Sequence, residues 1–238
     1  EAGMADYRLY AGKPVVIKPK STNFGLGITI LKHNYDETDF KAALQIAFEH
    51  DNTVLIEKFI PGREFRIFII NDEVVGILHR VPANVTGDGV LNIGQLIDMK
   101  NEDPLRGKGY RTPLEKIRKG REEEMFLKQQ GMDFNTVPKE REVVYLRENS
   151  NISTGGDSID FTDDIDDSYK AIAVEAPKAL NVKITGLDMM IQDIHAPATP
   201  DNYAIIEMNF NPAIHIHCYP FKGKNRHLNH KMIKALGF

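Results

Sequence analysis

The spacing of apolar positions along the chain predicts two helices and a larger number of strands. Apolar residues that recur every three or four positions predict helices, and short apolar or alternating runs predict strands. The predicted helices span residues 38–48 and 165–180. The predicted strands are residues 15–18, 53–59, 64–70, 73–81, 142–146, 183–191 and 203–210. The first 81 residues therefore run as one strand, one helix and three further strands.

Turns and polar stretches separate these elements. Asn71-Asp72 predicts a tight hairpin between two of the strands. Residues 98–131 are dense in charge and interrupted by proline and glycine, which is typical of an exposed insertion with short helices. Residues 147–156 form a polar loop that ends in paired glycines, and such loops often carry functional residues.

Composition narrows the class of protein. The chain has 238 residues, 42% of them hydrophobic, which is enough for one large domain or two small ones. Its 34 acidic and 30 basic residues give a net charge of −4, so no broad basic surface is expected for nucleic acid or membrane. The single cysteine excludes an intrachain disulfide, and no apolar run reaches the length of a membrane span. We expect a cytoplasmic protein.

A lysine and a glycine-bearing turn form the first candidate site. Lys18 ends the first predicted strand, and Gly25 and Gly27 follow in the next turn. Glycine lets main-chain N–H groups approach an anion closely, so this pattern is consistent with phosphate binding. A surface hairpin with a solvated lysine has the same pattern, and the spacing matches neither a Walker loop nor a Rossmann motif.

Acidic and amide side chains interrupt the last two predicted strands. Glu207 and Asn209 are two positions apart, so both side chains emerge on one face, where Asp188 can join them from the neighbouring strand. Three oxygen ligands on one face suit Mg²⁺. We expect little room for solvent between the flanking apolar residues, which favours metal binding. The alternatives are solvated side chains or an ion pair with a nearby lysine or arginine.

A second candidate cluster follows at His215, His217 and Cys218. The alternating histidines lack a second ligand group at usable spacing, so polar or structural histidines are preferred over a zinc or copper site. A lone cysteine is more often a small buried residue than a nucleophile.

Four segments carry a family resemblance. They contain the lysine and glycine turn, an arginine followed by a Gly-Asp-Gly turn, the polar loop, and the Glu-x-Asn motif. The segments are residues 18–27, 80–89, 147–156 and 207–212. Together they resemble the ATP-grasp superfamily of carboxylate-amine ligases, and more closely the glutathione synthetase module of bifunctional glutathione biosynthesis proteins, with cyanophycin synthetase as a near relative.

The resemblance implies an α+β ATP-grasp fold, in which two subdomains grip ATP between mostly antiparallel sheets. The expected subdomains are residues 1–80, truncated upstream, and residues 81–238, with the charged insertion 98–131 and the metal-binding strands 183–211 in the second. An upstream phosphate-contacting lysine and a substrate-binding portion of the family lie outside this sequence.

The resemblance also implies roles for individual residues. Those assigned to the nucleotide are Lys18, Lys20, Ser21, Asn23, Gly25, Gly27, Glu57, Lys58, Phe59, Ile60, Glu64 and Arg66. Those assigned to the acyl phosphate or substrate carboxylates are Arg80, Arg147, Asn149 and Ser150, with Arg66 as a further candidate. The implied metal ligands are Asp188, Glu207 and Asn209.

The implied reaction is ATP-dependent ligation of γ-glutamylcysteine to glycine through an acyl phosphate, giving glutathione, ADP and phosphate. The implied cofactors are ATP and one or two Mg²⁺ ions, with Mn²⁺ as an alternative. The implied partners are the two small substrates and an upstream glutamate-cysteine ligase module of the same chain, and a homodimer is compatible. Two alternatives stay open: a cyanophycin-synthetase-like ligase that adds aspartate or arginine, and a nucleotide-binding fragment without turnover of its own.

Overall fold

A computed structural model describes residues 7–22, 26–32 and 34–238. Its contacts divide the chain into two compact units, Glu1–Pro61 and Gly62–Phe238. The sequence prediction placed the boundary at residue 80 instead. The difference arises because the hairpin of residues 63–81 pairs with strands of the second unit, which leaves only the first three strands in unit 1.

Unit 1 is a three-stranded antiparallel sheet covered by one helix. Its elements are β1 (Val15–Pro19), β2 (Thr29–Leu31), α1 (Glu37–Phe48) and β3 (Val54–Lys58), in the sheet order β2-β1-β3. Asp36 caps the N-terminus of the helix, where its side chain accepts from the backbone N–H groups of Thr38 and Asp39 in a capping box. Its buried face, which includes Phe40 and Leu44, packs on Val15 and Ile17 of β1.

Unit 2 is built on a five-stranded antiparallel sheet. Its strands and helices are β4 (Arg63–Ile70), β5 (Glu73–Val81), β6 (Asn84–Thr86), α2 (Ile93–Lys100), β7 (Arg106–Gly107), β8 (Leu114–Glu115), α3 (Arg121–Gln129), β9 (Val143–Tyr145), β10 (Asp157–Asp160), α4 (Asp167–Ala179), β11 (Ile184–Ile191), β12 (Tyr203–Asn209), α5 (His215–Cys218) and α6 (Leu228–Ala235). The order of strands in the five-stranded sheet is β10-β5-β4-β11-β12. Asn71 and Asp72 both have positive φ, as the tight turn between β4 and β5 requires.

The two faces of this sheet are covered differently. One face is apolar and packs on α4, with Phe65, Ile67 and Leu187 in a core with Tyr169 of the helix. The opposite face is apolar only at one end, where Phe68 lies with Cys218 and Leu228. The rest of that face carries charged side chains. Polar groups are therefore gathered at the end of this face that lies away from Phe68.

The charged stretch 98–131 is less exposed than the sequence predicted. It contributes Ile117 and Leu127 to a separate core with Val85 and Val144 of the small β6–β9 sheet. Three of its charged residues, Arg106, Glu115 and Glu123, are themselves buried. The high density of charge predicted a solvated surface here. The prediction differs from the structure because local sequence does not reveal which charged side chains form buried ion pairs.

Within the described residues, no helix combines the length and the apolar character needed to cross a bilayer.

Candidate active site

A buried carboxylate lies at the centre of the charged face of the unit 2 sheet. Asp188 of β11 is 2% exposed and is aligned in register with Arg66 of β4 on one side and Glu207 of β12 on the other. Register partners share a face, so the three side chains emerge together. The Arg66 guanidinium donates from Nε to Oδ1 of Asp188 and from Nη2 to Oδ2, the latter at 2.8 Å.

A second arginine extends the cluster. Arg80 of β5 donates from Nη2 to Oδ2 of Asp188 at 3.1 Å and also forms an ion pair with Glu64. The hydroxyl of Ser150, from the polar loop, donates to the other carboxylate oxygen of Glu64. The Nε of Arg80 is buried and has no hydrogen-bond partner among the described residues.

These contacts determine the charge of Asp188. Burial alone raises the pKa of its carboxyl group, but the hydrogen bond from Arg66 and the positive charges of Arg80 and Arg66 outweigh burial, so the pKa lies below its ordinary value. Asp188 is therefore ionised at neutral pH. Its surroundings correspond to the ion-pair alternative considered from sequence and also leave capacity for a further ligand.

The other two predicted metal ligands lie at the exposed side of the cluster. Glu207 is exposed, and Asn209 donates from Nδ2 to its Oε1 at 3.2 Å. The expectation that flanking apolar residues exclude solvent here was wrong, because β12 is an edge strand and Ile205 and Ile206 are themselves 42% and 40% exposed.

The donor set is chemically compatible with a hard cation. A carboxylate offers about four lone-pair positions, and Asp188 accepts three hydrogen bonds, so one position remains. Glu207 and Asn209 add carboxylate and amide oxygens on the same face. No group of three or more His, Cys, Asp or Glu side chains suited to a metal occurs within residues 7–22, 26–32 and 34–238. Since Mg²⁺ takes about six ligands, an ion held by these three side chains would complete its shell with water and phosphate oxygens.

The predicted polar-loop residues divide between two locations. Ser150 contacts the cluster through Glu64. Asn149 accepts a hydrogen bond from Thr154 within the loop at 2.9 Å. The guanidinium of Arg147 instead binds Glu123 of α3, with Nε 2.6 Å from Oε1.

Unit 1 contains the predicted nucleotide residues of the first segments. Lys18 of β1 forms an ion pair with Glu57 of β3, with Nζ 2.7 Å from Oε2. The main-chain N–H groups of Ser21 and Lys20 bind Asp51 and the carbonyl of Thr53.

The remaining residues of this group lie in the turn after β1 or at the end of β3. Gly27 has a φ of +74°, while Asn23 and Gly25 lie outside the described residues. Lys58 is exposed, and Phe59 and the half-buried Ile60 follow directly after β3, with the ring of Phe59 5.5 Å from the Lys32 ammonium.

One buried group of unit 2 was missed by the sequence analysis. Arg106 and Lys100 both bind the buried Asp157, Lys100 with Nζ 2.6 Å from Oδ2. Local sequence gives no signal for these distant partners, so periodicity could not reveal the arrangement. His217, which the sequence analysis interpreted as a polar or structural histidine, is fully buried beside Phe68, with neither ring nitrogen hydrogen-bonded among the described residues.

The comparisons with known proteins agree with this architecture. A family model described as the D-ala D-ala ligase C-terminus matches residues 4–95. The glutathione biosynthesis bifunctional protein GshAB of Desulfotalea psychrophila is 63% identical over 235 residues, which are 99% of this chain and 30% of that protein. The protein of the same name from Clostridium perfringens is 57% identical over 97% of this chain and 30% of its own length.

A solved structure is also similar. The crystal structure of a bifunctional glutathione synthetase from Pasteurella multocida superposes with a TM-score of 0.72 at 48% sequence identity, and covers 97% of this chain and 31% of that one. The chain thus spans about a third of the length of the relatives it matches.

The fold and the matches place this chain among proteins with the ATP-grasp fold, whose ligases generally use ATP and Mg²⁺. Within that class it is homologous to part of the bifunctional glutathione biosynthesis proteins.

Proposed function

We propose that this chain supplies the ATP-grasp catalytic part of a ligase that joins γ-glutamylcysteine to glycine, forming glutathione with release of ADP and phosphate. The observation that carries the proposal is the 63% identity, over 99% of this chain, to a glutathione biosynthesis bifunctional protein. The aligned region covers 99% of this chain and so includes all four segments on which the family resemblance rests.

The reaction has two steps. A carboxylate oxygen of γ-glutamylcysteine attacks the γ-phosphorus of ATP, which forms an acyl phosphate and releases ADP. The amine of glycine then attacks the acyl carbon, the C–O bond to phosphate breaks, and the amine loses a proton as the amide forms. Neither step needs a covalent bond to the protein, so Cys218 has no role in the proposed mechanism.

The residues of this chain supply positive charge and ordered donors. Arg80 and Arg66 place two guanidinium groups at one end of a sheet face, where transferred phosphoryl oxygens and substrate carboxylates need neutralising. We also propose that the Lys18 ammonium contacts the phosphates of the nucleotide. Asp188, Glu207 and Asn209 would hold Mg²⁺, or Mn²⁺ as an alternative, and the ion would neutralise phosphate charge.

We also propose a source for the substrates and a compartment for the reaction. In a longer chain an additional glutamate-cysteine ligase portion would supply γ-glutamylcysteine, and the relatives' description as bifunctional glutathione biosynthesis proteins supports a second activity of this kind. The cytoplasm would supply ATP and reduced thiol substrate. A homodimer is compatible with this proposal.

The test measures ADP release and product identity with defined substrates. The full-length protein is incubated with Mg·ATP and either γ-glutamylcysteine plus glycine, or an aspartate–arginine polymer primer plus aspartate or arginine. We expect ADP release only with the first pair, and glutathione detected by mass spectrometry in equal amount. ADP release only with the polymer set would replace this function by the cyanophycin-type alternative. ATP binding by calorimetry without ADP release under either condition would leave a nucleotide-binding module.

A further inference from the structure

The polar loop of residues 147–156 is attached at its first residue to the charged insertion of residues 98–131. Arg147 donates from Nε to Oε1 of Glu123 at 2.6 Å and also pairs with Glu122. The Glu123 side chain is 1% exposed, and its second oxygen accepts from the N–H of Gly120 at 3.0 Å. Both oxygens of this buried carboxylate are therefore held in place.

The other end of the loop is attached to the same insertion by a different buried charge. The Arg106 side chain is fully buried and donates from Nη1 to the carbonyls of Glu115 at 2.8 Å and Gly155 at 3.0 Å. Its Nη2 binds Asp157, the first residue of β10. A guanidinium with donors in a fixed fork can join these groups at once, which a single ammonium cannot do.

Backbone packing reinforces this second attachment. Gly155 has a φ of +95°, and a Cβ added there would lie 2.8 Å from the Cα of Ile117 in the insertion. Ile117 is itself fixed, because its N–H and carbonyl both bind the side chain of Asn101 at 2.8 Å. The loop end therefore lies directly against ordered backbone.

The middle of the loop contacts the charged cluster of the sheet. Ser150 donates to Glu64, and Glu64 forms an ion pair with Arg80, which binds Asp188. The segment that reaches the cluster thus lies between two attachments to the insertion. A buried charge without a partner is costly, so the buried charged groups of both attachments are held in the positions where they are paired.

We propose that Arg106 and Glu123 are positioning residues, which hold the two ends of the polar loop so that Ser150 and Asn149 are presented to the substrate-binding end of the sheet. This inference rests on the proposed function for its catalytic consequence, although the loop geometry is independent of it. The insertion acts as a rigid support for the loop. Displacement of a catalytic segment by about 1 Å lowers rates up to about 100-fold, which sets the size of the expected effect.

The experiment compares two buried charges with two exposed ones from the same insertion. The variants are Arg106→Gln and Glu123→Gln, and the matched controls are Arg118→Gln and Glu124→Gln, whose side chains are exposed. Asp157 keeps Lys100 as a partner when Arg106 is replaced, and Arg147 keeps Glu122 when Glu123 is replaced. Neither substitution leaves a buried charge without any partner, so folded protein is expected.

Two readouts are measured on the full-length protein. Hydrogen exchange followed by mass spectrometry reports peptides that cover residues 147–157, and steady-state kinetics reports kcat and KM for ATP. We expect exchange in these peptides to rise about tenfold or more in both test variants, with kcat lowered roughly tenfold to 100-fold and KM for ATP changed less than about threefold. Both controls should match the wild type in both readouts.

Several results would overturn the inference. Unchanged exchange at residues 147–157 in both test variants would show that the insertion does not fix the loop. A rise in exchange throughout the unit 2 sheet, with KM and kcat worsened together, would indicate a general structural role. If Arg106→Gln does not fold, Arg106→Lys takes its place, since it keeps the charge but loses the fork, and the same exchange result is required of it. A wild type without ligase activity would contradict the proposed function, while the exchange comparison would still decide the loop's attachment.

Discussion

Arg66 binds both carboxylate oxygens of Asp188, and the two residues are aligned in register across β4 and β11. The pair is almost completely buried, with side chains 8% and 2% exposed. The net contribution of such a pair to stability can be small. Removing one member nevertheless costs much more, because it leaves the other ion buried with too few partners.

Arg66→Met should destabilise unit 2. Arg80 alone would remain for the buried Asp188 carboxylate, and breaking a buried ion pair typically costs about 3 kcal/mol of the free energy of unfolding. Urea unfolding measures the change. Lys119→Met, which removes a surface pair with Asp98, is the control and should cost about 0.5 kcal/mol or less. Equal stability of the two variants would show that the Arg66 pair is not needed for folding.

Lys18→Ala should weaken nucleotide binding by roughly 1.5 to 3 kcal/mol, the usual cost of losing a hydrogen bond to a charged group. The lysine is only partly exposed and held by Glu57, so its ammonium is ordered before a ligand arrives. Calorimetric titration with Mg·ATP measures the affinity. Lys41→Ala, on the exposed side of α1, should bind like the wild type. An affinity of Lys18→Ala equal to wild type would remove Lys18 from the site.

Glu207→Gln should raise the Mg²⁺ concentration needed for half-maximal ADP release by about tenfold or more, because a ligand of the cation loses its charge. Asp188→Asn should act in the same direction. Glu73→Gln, an exposed substitution at the start of β5, should leave the requirement unchanged. If Asp188→Asn keeps the wild-type Mg²⁺ requirement and turnover, Asp188 serves the arginine pair alone.

The buried His217 and the half-buried His79 should make the fold sensitive to acid. Burial lowers the pKa of His217 to about 3, and burial with the nearby Arg63 charge lowers the pKa of His79 to about 4. An unfolded histidine titrates near about 6.5. Below that pH the unfolded chain binds more protons than the folded chain, so stability falls as the pH is lowered from about 6.5 towards 4.

Replacement of His217 should remove part of this dependence. In His217→Leu the slope of unfolding free energy against pH should be smaller between pH 6 and 4, by up to about 1.4 kcal/mol per pH unit. Urea unfolding at a series of pH values measures the slope, and His195→Leu, at an exposed loop position, should keep the wild-type slope. A His217→Leu slope identical to wild type would mean that His217 is protonated equally in both states.

Gly155→Ala should destabilise the chain more than Gly109→Ala. Both glycines have positive φ, at +95° and +68°, but only at Gly155 would the new methyl group meet a backbone atom closer than 3.0 Å, the Cα of Ile117 at 2.8 Å. The shared conformational strain costs on the order of 1 kcal/mol, and the clash with Ile117 adds to it only at residue 155. Thermal unfolding of both variants gives the comparison, and equal losses would show that the loop moves away from Ile117 without cost.

Local sequence patterns predicted the longest elements of this fold. Apolar periodicity predicted α1 and α4 to within two residues, and Asn71-Asp72 predicted the β4–β5 hairpin. The short strands β2, β6, β7, β8 and β10 and the helices α2, α5 and α6 were not predicted. A strand this short depends on its partner strand more than on its own apolar pattern. A three- or four-residue strand carries too few alternating positions to be recognised alone.

Several residues of the charged cluster were named from the sequence, but their pairings were not. Strand alternation correctly grouped Glu207 with Asn209, since positions two apart share a face. It could not show that Asp188 is occupied by Arg66, because that contact depends on the register of two strands far apart in the chain. For the same reason, the sequence did not show that Arg147 binds Glu123 of α3.

The paired central strands β4 and β11 are far apart in the sequence, and this distance affects how the protein folds during synthesis. Arg66 and Asp188 are 122 positions apart, whereas β4 and β5 are joined by a two-residue turn. The ribosome therefore releases the hairpin, and then the insertion with the β6–β9 sheet whose core it shares, well before β11 exists to complete the larger sheet. Pairing of such distant segments is slow, so the exposed flank of β4 is the surface that a nascent chain must protect from aggregation.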